Sequence, residues 1–102
     1  MQIKGKVQGN TLFVLLQGEL DEYTANYCRK TMDYLIDSNK YGKVVIDLSE
    51  LDFMDSTGVG VLIGRYKRLK SSHTPMYITS PNSTIERIFK MSGLYEIMPK
   101  IS

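Results

Sequence analysis

Polar and apolar positions alternate on both sides of the stretch QGN near the start of the chain: Lys4 and Lys6 precede it, and Leu12, Val14 and Leu16 follow it. A period of two belongs to strands with one buried face, and a Gly9-Asn10 pair belongs to a tight turn. The pattern predicts paired antiparallel strands at 2–7 and 11–17, with Gly18 ending the second. The period then lengthens. Cys28, Thr31, Met32 and Leu35 recur at helical spacing to about Ser38, with Thr24 able to cap the start and Tyr41-Gly42 closing the helix. VVIDLS (44–49) is almost continuously apolar, as in a buried parallel strand.

After FMDSTG, residues Val59, Leu62, Ile63, Tyr66 and Leu69 fall on one face of a helix that reaches about Lys70, where Ser71, Ser72 and Pro75 break it. MYIT (76–79) reads as the next strand. Ser83-Thr84-Ile85-Glu86 has the form of a capping box, Ile85, Ile88 and Phe89 share a face, and Gly93 stands where a C-terminal cap belongs. A short strand or helical turn is expected near 95–100. The order gives two βαβ units preceded by a hairpin, with right-handed crossovers. The expected fold class is α/β: one domain over 1–102, a mixed, mostly parallel sheet packed with three to four helices.

Composition narrows what this fold can do. A chain of 102 residues holds one core, and a formal net charge of +2 points to neither nucleic acid nor a membrane surface. A single cysteine, Cys28, excludes an internal disulfide and suits a reducing compartment, so the cytoplasm is expected. With one histidine and one cysteine, no Cys/His zinc site can be assembled, and a Ser-His-Asp triad would have to recruit His73 from the turn-like SSHTP. No metal, no cofactor and no catalytic residue is expected.

The stretch FMDSTGVG (53–60) carries the remaining chemistry. As a phosphate cradle it is incomplete: Gly58, Gly60 and Gly64 imitate a dinucleotide loop, yet no acid lies between Asp55 and Glu86 to hold a ribose, and there is no Gly-Lys-Ser/Thr. A small nucleotide-binding domain using the Gly58–Gly64 loop stays as the alternative. As a nucleophile, Ser56 lacks a general base, since a carboxylate of ordinary pKa is a poor partner for a hydroxyl. As local structure, Ser56 or Thr57 caps the helix, with Asp55 favouring its positive end.

Capping does not account for the glycines. Thr57, Gly60, Val61, Gly64 and Arg68 cluster opposite the apolar stripe, and each helical glycine costs about 1 kcal/mol against alanine. What they would provide is a smooth docking strip with Val61 exposed. A phosphate on the adjacent hydroxyl would add a charge of about −1.5 to −2 beside Asp55, tolerated by the helix start but not by a partner pressed on the strip.

GELDEYTA (18–25), VVIDLSELDFMDSTGVGVLIGRYKRLK (44–70) and IERIFKMSGLYEIM (85–98) resemble the bacterial anti-sigma factor antagonists, the small single-domain members of the STAS family. The GRYK portion looks most like their sporulation branch. The resemblance implies a STAS-like domain that binds an anti-sigma factor with serine kinase activity and so frees a sigma factor. It implies that this kinase switches the antagonist off by phosphorylating the serine after the motif's aspartate, and that a serine phosphatase reverses the step. Here that serine is Ser56, after Asp55; the motif match, not composition, selects it over Thr57. The implied partner-binding residues are Asp21, Asp55, Ser56, Thr57, Gly58, Gly60, Val61 and Gly64, with Asp21 on a loop at the same end of the sheet. Glu22 and Tyr23 depart from the family's usual pattern after GELD.

Three features lie outside that motif. Arg65, Lys67, Arg68 and Lys70 form a basic cluster expected to be a solvated helix end. Tyr23, Tyr27 and Tyr34 flank the first helix and are expected to be partly buried at the sheet edge. Asp47, inside an apolar run, is expected to accept from neighbouring amides.

Overall fold

A computed structural model describes residues 1–101. β1 (Gln2–Gln8) and β2 (Thr11–Leu20) form the antiparallel hairpin, turned by Gly9 at φ 60°. α1 (Ala25–Ser38), β3 (Lys43–Met54), α2 (Ser56–Ser71), β4 (Met76–Thr79) and α3 (Ser83–Ser92) follow. A 3₁₀ turn (Leu94–Glu96) and β5 (Lys100–Ile101) occupy the region expected to hold a last short element.

The strands stand in the order β1-β2-β3-β4-β5, with every pair after the first parallel. When each parallel neighbour is the next strand of the chain and crossovers are right-handed, all the connecting helices fall on one face. Burial agrees. Leu12, Val14 and Leu16 of β2, Ile46 and Leu48 of β3 and Ile78 of β4 share a single core with Cys28 and Met32 of α1, Leu62 and Leu69 of α2, and Ile85 and Phe89 of α3. The opposite face has no helical layer and carries the cross-strand row Lys6, Phe13, Val45 and Tyr77.

Two strands run further than the apolar pattern suggests. Gly18 does not end β2: it takes φ 106°, the ladder shifts register around it, and pairing resumes with Glu19 opposite Phe53 and Leu20 opposite Met54. β3 continues to Met54 because Leu51 and Met54 still reach the core. Asp47 is half-buried and accepts from the Ser49 amide, as expected.

The caps differ in detail. Thr24 gives α1 no side-chain cap, because its hydroxyl donates to the Glu19 carbonyl and accepts from the Asp21 amide. Asn82, not Ser83, caps α3 by accepting from the Ile85 amide, and its Nδ2 donates to the Leu51 carbonyl. Glu86 is therefore free to pair with Lys100 and the Tyr95 hydroxyl. Gly93 closes α3 at φ 73°, in the left-handed region that favours glycine.

Candidate functional site

β2 and β3 end side by side, and the residue after each opens the site. The Asp55 amide donates to the Leu20 carbonyl at 3.3 Å, extending the ladder by one bond. Asp55 then leaves the strand in extended conformation and caps α2, its Oδ1 accepting from the Gly58 amide at 3.0 Å. The cap is thus Asp55 rather than Ser56 or Thr57. Both hydroxyl residues occupy the exposed first turn of α2, beside backbone amides that carry the helix's positive end.

Gly58 belongs to the interior, not to a docking strip. A Cβ there would stand 2.7 Å from the Leu20 carbonyl oxygen and 2.8 Å from Leu20 Cγ and Met54 Cγ. Its lack of a side chain lets α2 seat directly on the ends of β2 and β3. Val61 is also buried, at 1% exposure, against the expectation that it faces outward. The buried arc is Gly58, Val61, Leu62, Arg65 and Leu69, whereas Val59, Ile63 and Tyr66 are only half-buried. α2 packs on the sheet with α1 along one flank, where Arg65 meets Asp33, so its buried face is turned toward α1 relative to the apolar stripe read from the sequence. The open strip reduces to Ser56, Thr57, Gly60 and Gly64, and a Cβ added at either of these glycines meets nothing within 4 Å.

Asp21 arrives at the same end of the sheet, one residue past Leu20. Its carboxylate accepts from the Tyr23 amide at 2.9 Å and the Thr24 amide at 3.1 Å, while its own amide donates to the Thr24 hydroxyl at 3.0 Å. Its chemistry is spent on shaping the turn into α1. That turn holds Tyr23 at 86% exposure; Tyr27 and Tyr34 are also exposed, so the expected edge burial of the three tyrosines is not found. The sheet edge beneath α1 is filled by Leu35 over Gly5 instead.

The basic cluster at the far end of α2 is not simply solvated. Arg65 is buried and ion-paired, with Nε 2.9 Å from Asp33 Oδ1, but neither Nε nor Nη1 makes a hydrogen bond. Burial pulls its pKa down, and Asp33 opposes that shift. Arg68 reaches both Asp33 at 2.6 Å and Asp37 at 2.8 Å, and those hydrogen bonds raise its pKa. The signal was present in the sequence as two pairs at helical spacing, Asp33/Asp37 and Arg65/Arg68. Periodicity of apolar residues passes over it.

The geometry also disfavours a dinucleotide loop. Such a loop places its glycines in the turn between strand and helix. Here Gly58, Gly60 and Gly64 all lie within α2, the first buried under it and the others on its outer side. His73 sits in the exposed turn after α2, as expected. Among the described residues, no three His, Cys, Asp or Glu side chains are grouped to hold a metal ion, and no helix is long and apolar enough to cross a membrane.

A sequential five-strand sheet with its helices on one face, and an Asp-capped helix opening on exposed hydroxyls, define a known class of domain. Residues 2–102 match the model of the STAS domain, and the chain belongs to that family. An anti-sigma F factor antagonist of Paenibacillus polymyxa is 38% identical over 97% of this chain and 85% of its own length. An anti-sigma-B factor antagonist of Listeria monocytogenes is 33% identical over 83% of this chain and 74% of its own. Among solved structures, the anti-sigma factor antagonist SpoIIAA in its unphosphorylated form superposes with a TM-score of 0.81 at 25% identity, over 99% of this chain and 89% of that one. The phosphorylated form of the Bacillus protein gives 0.74 at 25% identity, over 99% and 92%.

Proposed function

We propose that this protein is an anti-sigma factor antagonist of the sporulation type, acting in the cytoplasm and switched by phosphorylation of Ser56. The unphosphorylated chain binds an anti-sigma factor that is also a serine kinase and releases the sigma factor; a serine phosphatase restores the bound state. One observation carries the reading. An exposed hydroxyl stands at the open end of α2, directly beside glycines whose outer side is empty. The names of the relatives and the existence of a phosphorylated SpoIIAA support it.

The sign of the switch follows from general chemistry. Asp55 already closes the helix start, so a phosphate on Ser56 adds charge where amides favour it and leaves the fold intact. A kinase must bring nucleotide phosphates against the Ser56 hydroxyl, so a phosphoserine there meets anions in a desolvated contact. Losing about 3 kcal/mol of binding lowers affinity more than a hundredfold.

The test is direct. Incubation with the anti-sigma factor of the same organism and ATP should add a single phosphate by intact mass, and Ser56→Ala should abolish the addition. Ser56→Ala should bind whether or not ATP is present, and Ser56→Asp should bind far more weakly. Equal affinities of the two variants would remove the charge mechanism. Absence of transfer, with tight binding of nucleotide by this chain itself, would favour the nucleotide-binding alternative.

A further inference from the structure

The fold leaves three tyrosines of α1 and its entry turn without a structural use. Tyr23, Tyr27 and Tyr34 are 86%, 50% and 70% exposed, although each ring is a large, mostly apolar surface. Their spacing gathers them. At 100° per residue, Tyr23, Tyr27, Lys30 and Tyr34 fall within an arc of about 60° around the helix. Ala25, Cys28 and Met32, which are buried, lie on the opposite side. Tyr23 precedes the first residue of α1, but the Ala25 amide donates to the Asp21 carbonyl at 2.9 Å and carries the helical turn back over it. The result is a crest about 16 Å long that points away from the sheet and is exposed at all four positions.

The order of side chains along the crest indicates what covers it. Residues 23, 27, 30 and 34 are separated by four, three and four positions, the spacing of a seam by which one helix packs along another. The set is also symmetric about its own middle. When a second α1 lies antiparallel across the crest, with a twofold axis between residues 28 and 29, Tyr23 faces Tyr34 of the second copy and Tyr27 faces its Lys30. All four positions are then used at once: tyrosine rings pack in pairs at both ends, and in the middle each ammonium lies over a tyrosine face. The flanks raise no objection. Asn26 and Asp33 stand on one side, Thr24 and Thr31 on the other, and the one charge among them, Asp33, is already paired with Arg65 and Arg68. A single lysine within such a seam lowers its stability but fixes its register, because any other alignment takes the ammonium off its ring.

We propose that the crest of α1 is a self-association surface, on which a second copy of this chain docks antiparallel through Tyr23, Tyr27, Lys30 and Tyr34. The occupant is a second copy because the pattern complements itself; an unrelated partner requires no symmetry about residues 28 and 29. The contact is small. Three exposed tyrosine side chains and a lysine stem amount to roughly 500 Å² per copy, against about 800 Å² for a stable interface. Association is therefore weak and reversible, and the balance of monomer and dimer follows concentration. It is independent of the reading of Ser56, which lies on α2.

Sedimentation velocity of the full chain, from about 10 µM to about 1 mM, should show the mass rising from 11.6 kDa toward twice that value. Tyr27→Ala and Tyr34→Ala should each weaken association about tenfold or more. Lys30→Glu, which sets an anion against the face of a ring, should do the same. Met91→Ala, at an 81% exposed side chain on α3, should leave association unchanged. Cross-linking reads the register. Under mild oxidation, chains carrying Tyr23→Cys mixed with chains carrying Tyr34→Cys should form a disulfide dimer of one each, faster than either chain alone; Cys28 is fully buried and takes no part. A chain that stays monomeric at the highest concentration overturns the proposal. Association that the two tyrosine variants leave intact also overturns it, by placing the contact on another face. Preferential linking of Tyr34→Cys chains to one another overturns the antiparallel register. The substituted side chains are exposed, so melting temperatures should match wild type and loss of contact is not mistaken for loss of fold.

Discussion

The two halves of α2 are built on opposite plans. In the half from Arg65 to Ser71, side chains are consumed within the molecule: Arg65 lies buried beside Asp33, Arg68 spans Asp33 and Asp37, and Leu69 fills the core. In the half from Ser56 to Gly64, the buried side is Gly58 pressed on strand ends followed by Val61 and Leu62 in the core, and the outer side is hydroxyls and two bare glycines. The far half and the buried Val61 and Leu62 fix where the helix lies, so the outer side of the near half needs no side chains to hold it. A surface can stay unfinished for a partner only if something else keeps it in place.

The comparison breaks first at the glycines. Gly58→Ala pushes a methyl group into the Leu20 carbonyl and should cost about 2–3 kcal/mol in chemical or thermal unfolding. Gly60→Ala and Gly64→Ala should instead gain up to about 1 kcal/mol each, because the added Cβ meets open space and alanine favours the helix. A leucine at Gly60 or Gly64 should then spoil partner binding in a protein that still melts normally. A Gly58→Ala chain as stable as wild type would mean that the seat on the strand ends is not tight.

The lock at the other half is the next to test. Asp33→Ala leaves the buried Arg65 guanidinium without its counter-ion and should cost about 2 kcal/mol, less than a fully enclosed pair because Asp33 remains 32% exposed. Arg68→Met, at a side chain 40% exposed, should cost only about 0.5 kcal/mol. Similar losses from the two variants would show that the pair at Arg65 is no more than a surface contact.

A condition-dependent effect concerns the thiol beneath that lock. Burial pushes Cys28 up from 9.0 to about 11, against the opposing influence of Arg65 and Arg29. A folded-state value above the unfolded one contributes stability that is complete below pH 9 and is lost as pH rises toward 11. Wild type should lose about 1 kcal/mol at pH 10 that Cys28→Ala does not lose, as read by urea unfolding across that range. A pH dependence identical in both chains would place the thiol in a wetter setting.

Where local chemistry decides structure, the sequence was readable. The strand at 76–79, the extent of α3 and the left-handed Gly93 follow from turn residues and apolar spacing that act within a few positions. The exposed hydroxyls after Asp55 were readable for the same reason. What the pattern missed depends on neighbours far along the chain. Val61 is buried and Val59 only half-buried because α1 lies on one flank of α2, and Arg65 enters the interior because Asp33 awaits it there. Gly58 and Gly60 look alike in a string of letters; only the position of the Leu20 carbonyl separates them. The exposure of Tyr23, Tyr27 and Tyr34 was missed because Leu35 fills the edge that they were expected to cover.

The strand order has a kinetic corollary. Every strand pairs only with the strands before and after it in the chain, so each new element finds its place already templated by the one just formed. Each parallel pairing must still close a loop of about thirty residues, as Thr11 with Lys43 and Val44 with Met76, before its contacts reward it. As the polypeptide leaves the ribosome, the hairpin can receive β3 while α2 is still being synthesised. Successive deletions from the C-terminal end should peel the sheet one strand at a time, leaving the earlier pairings in register.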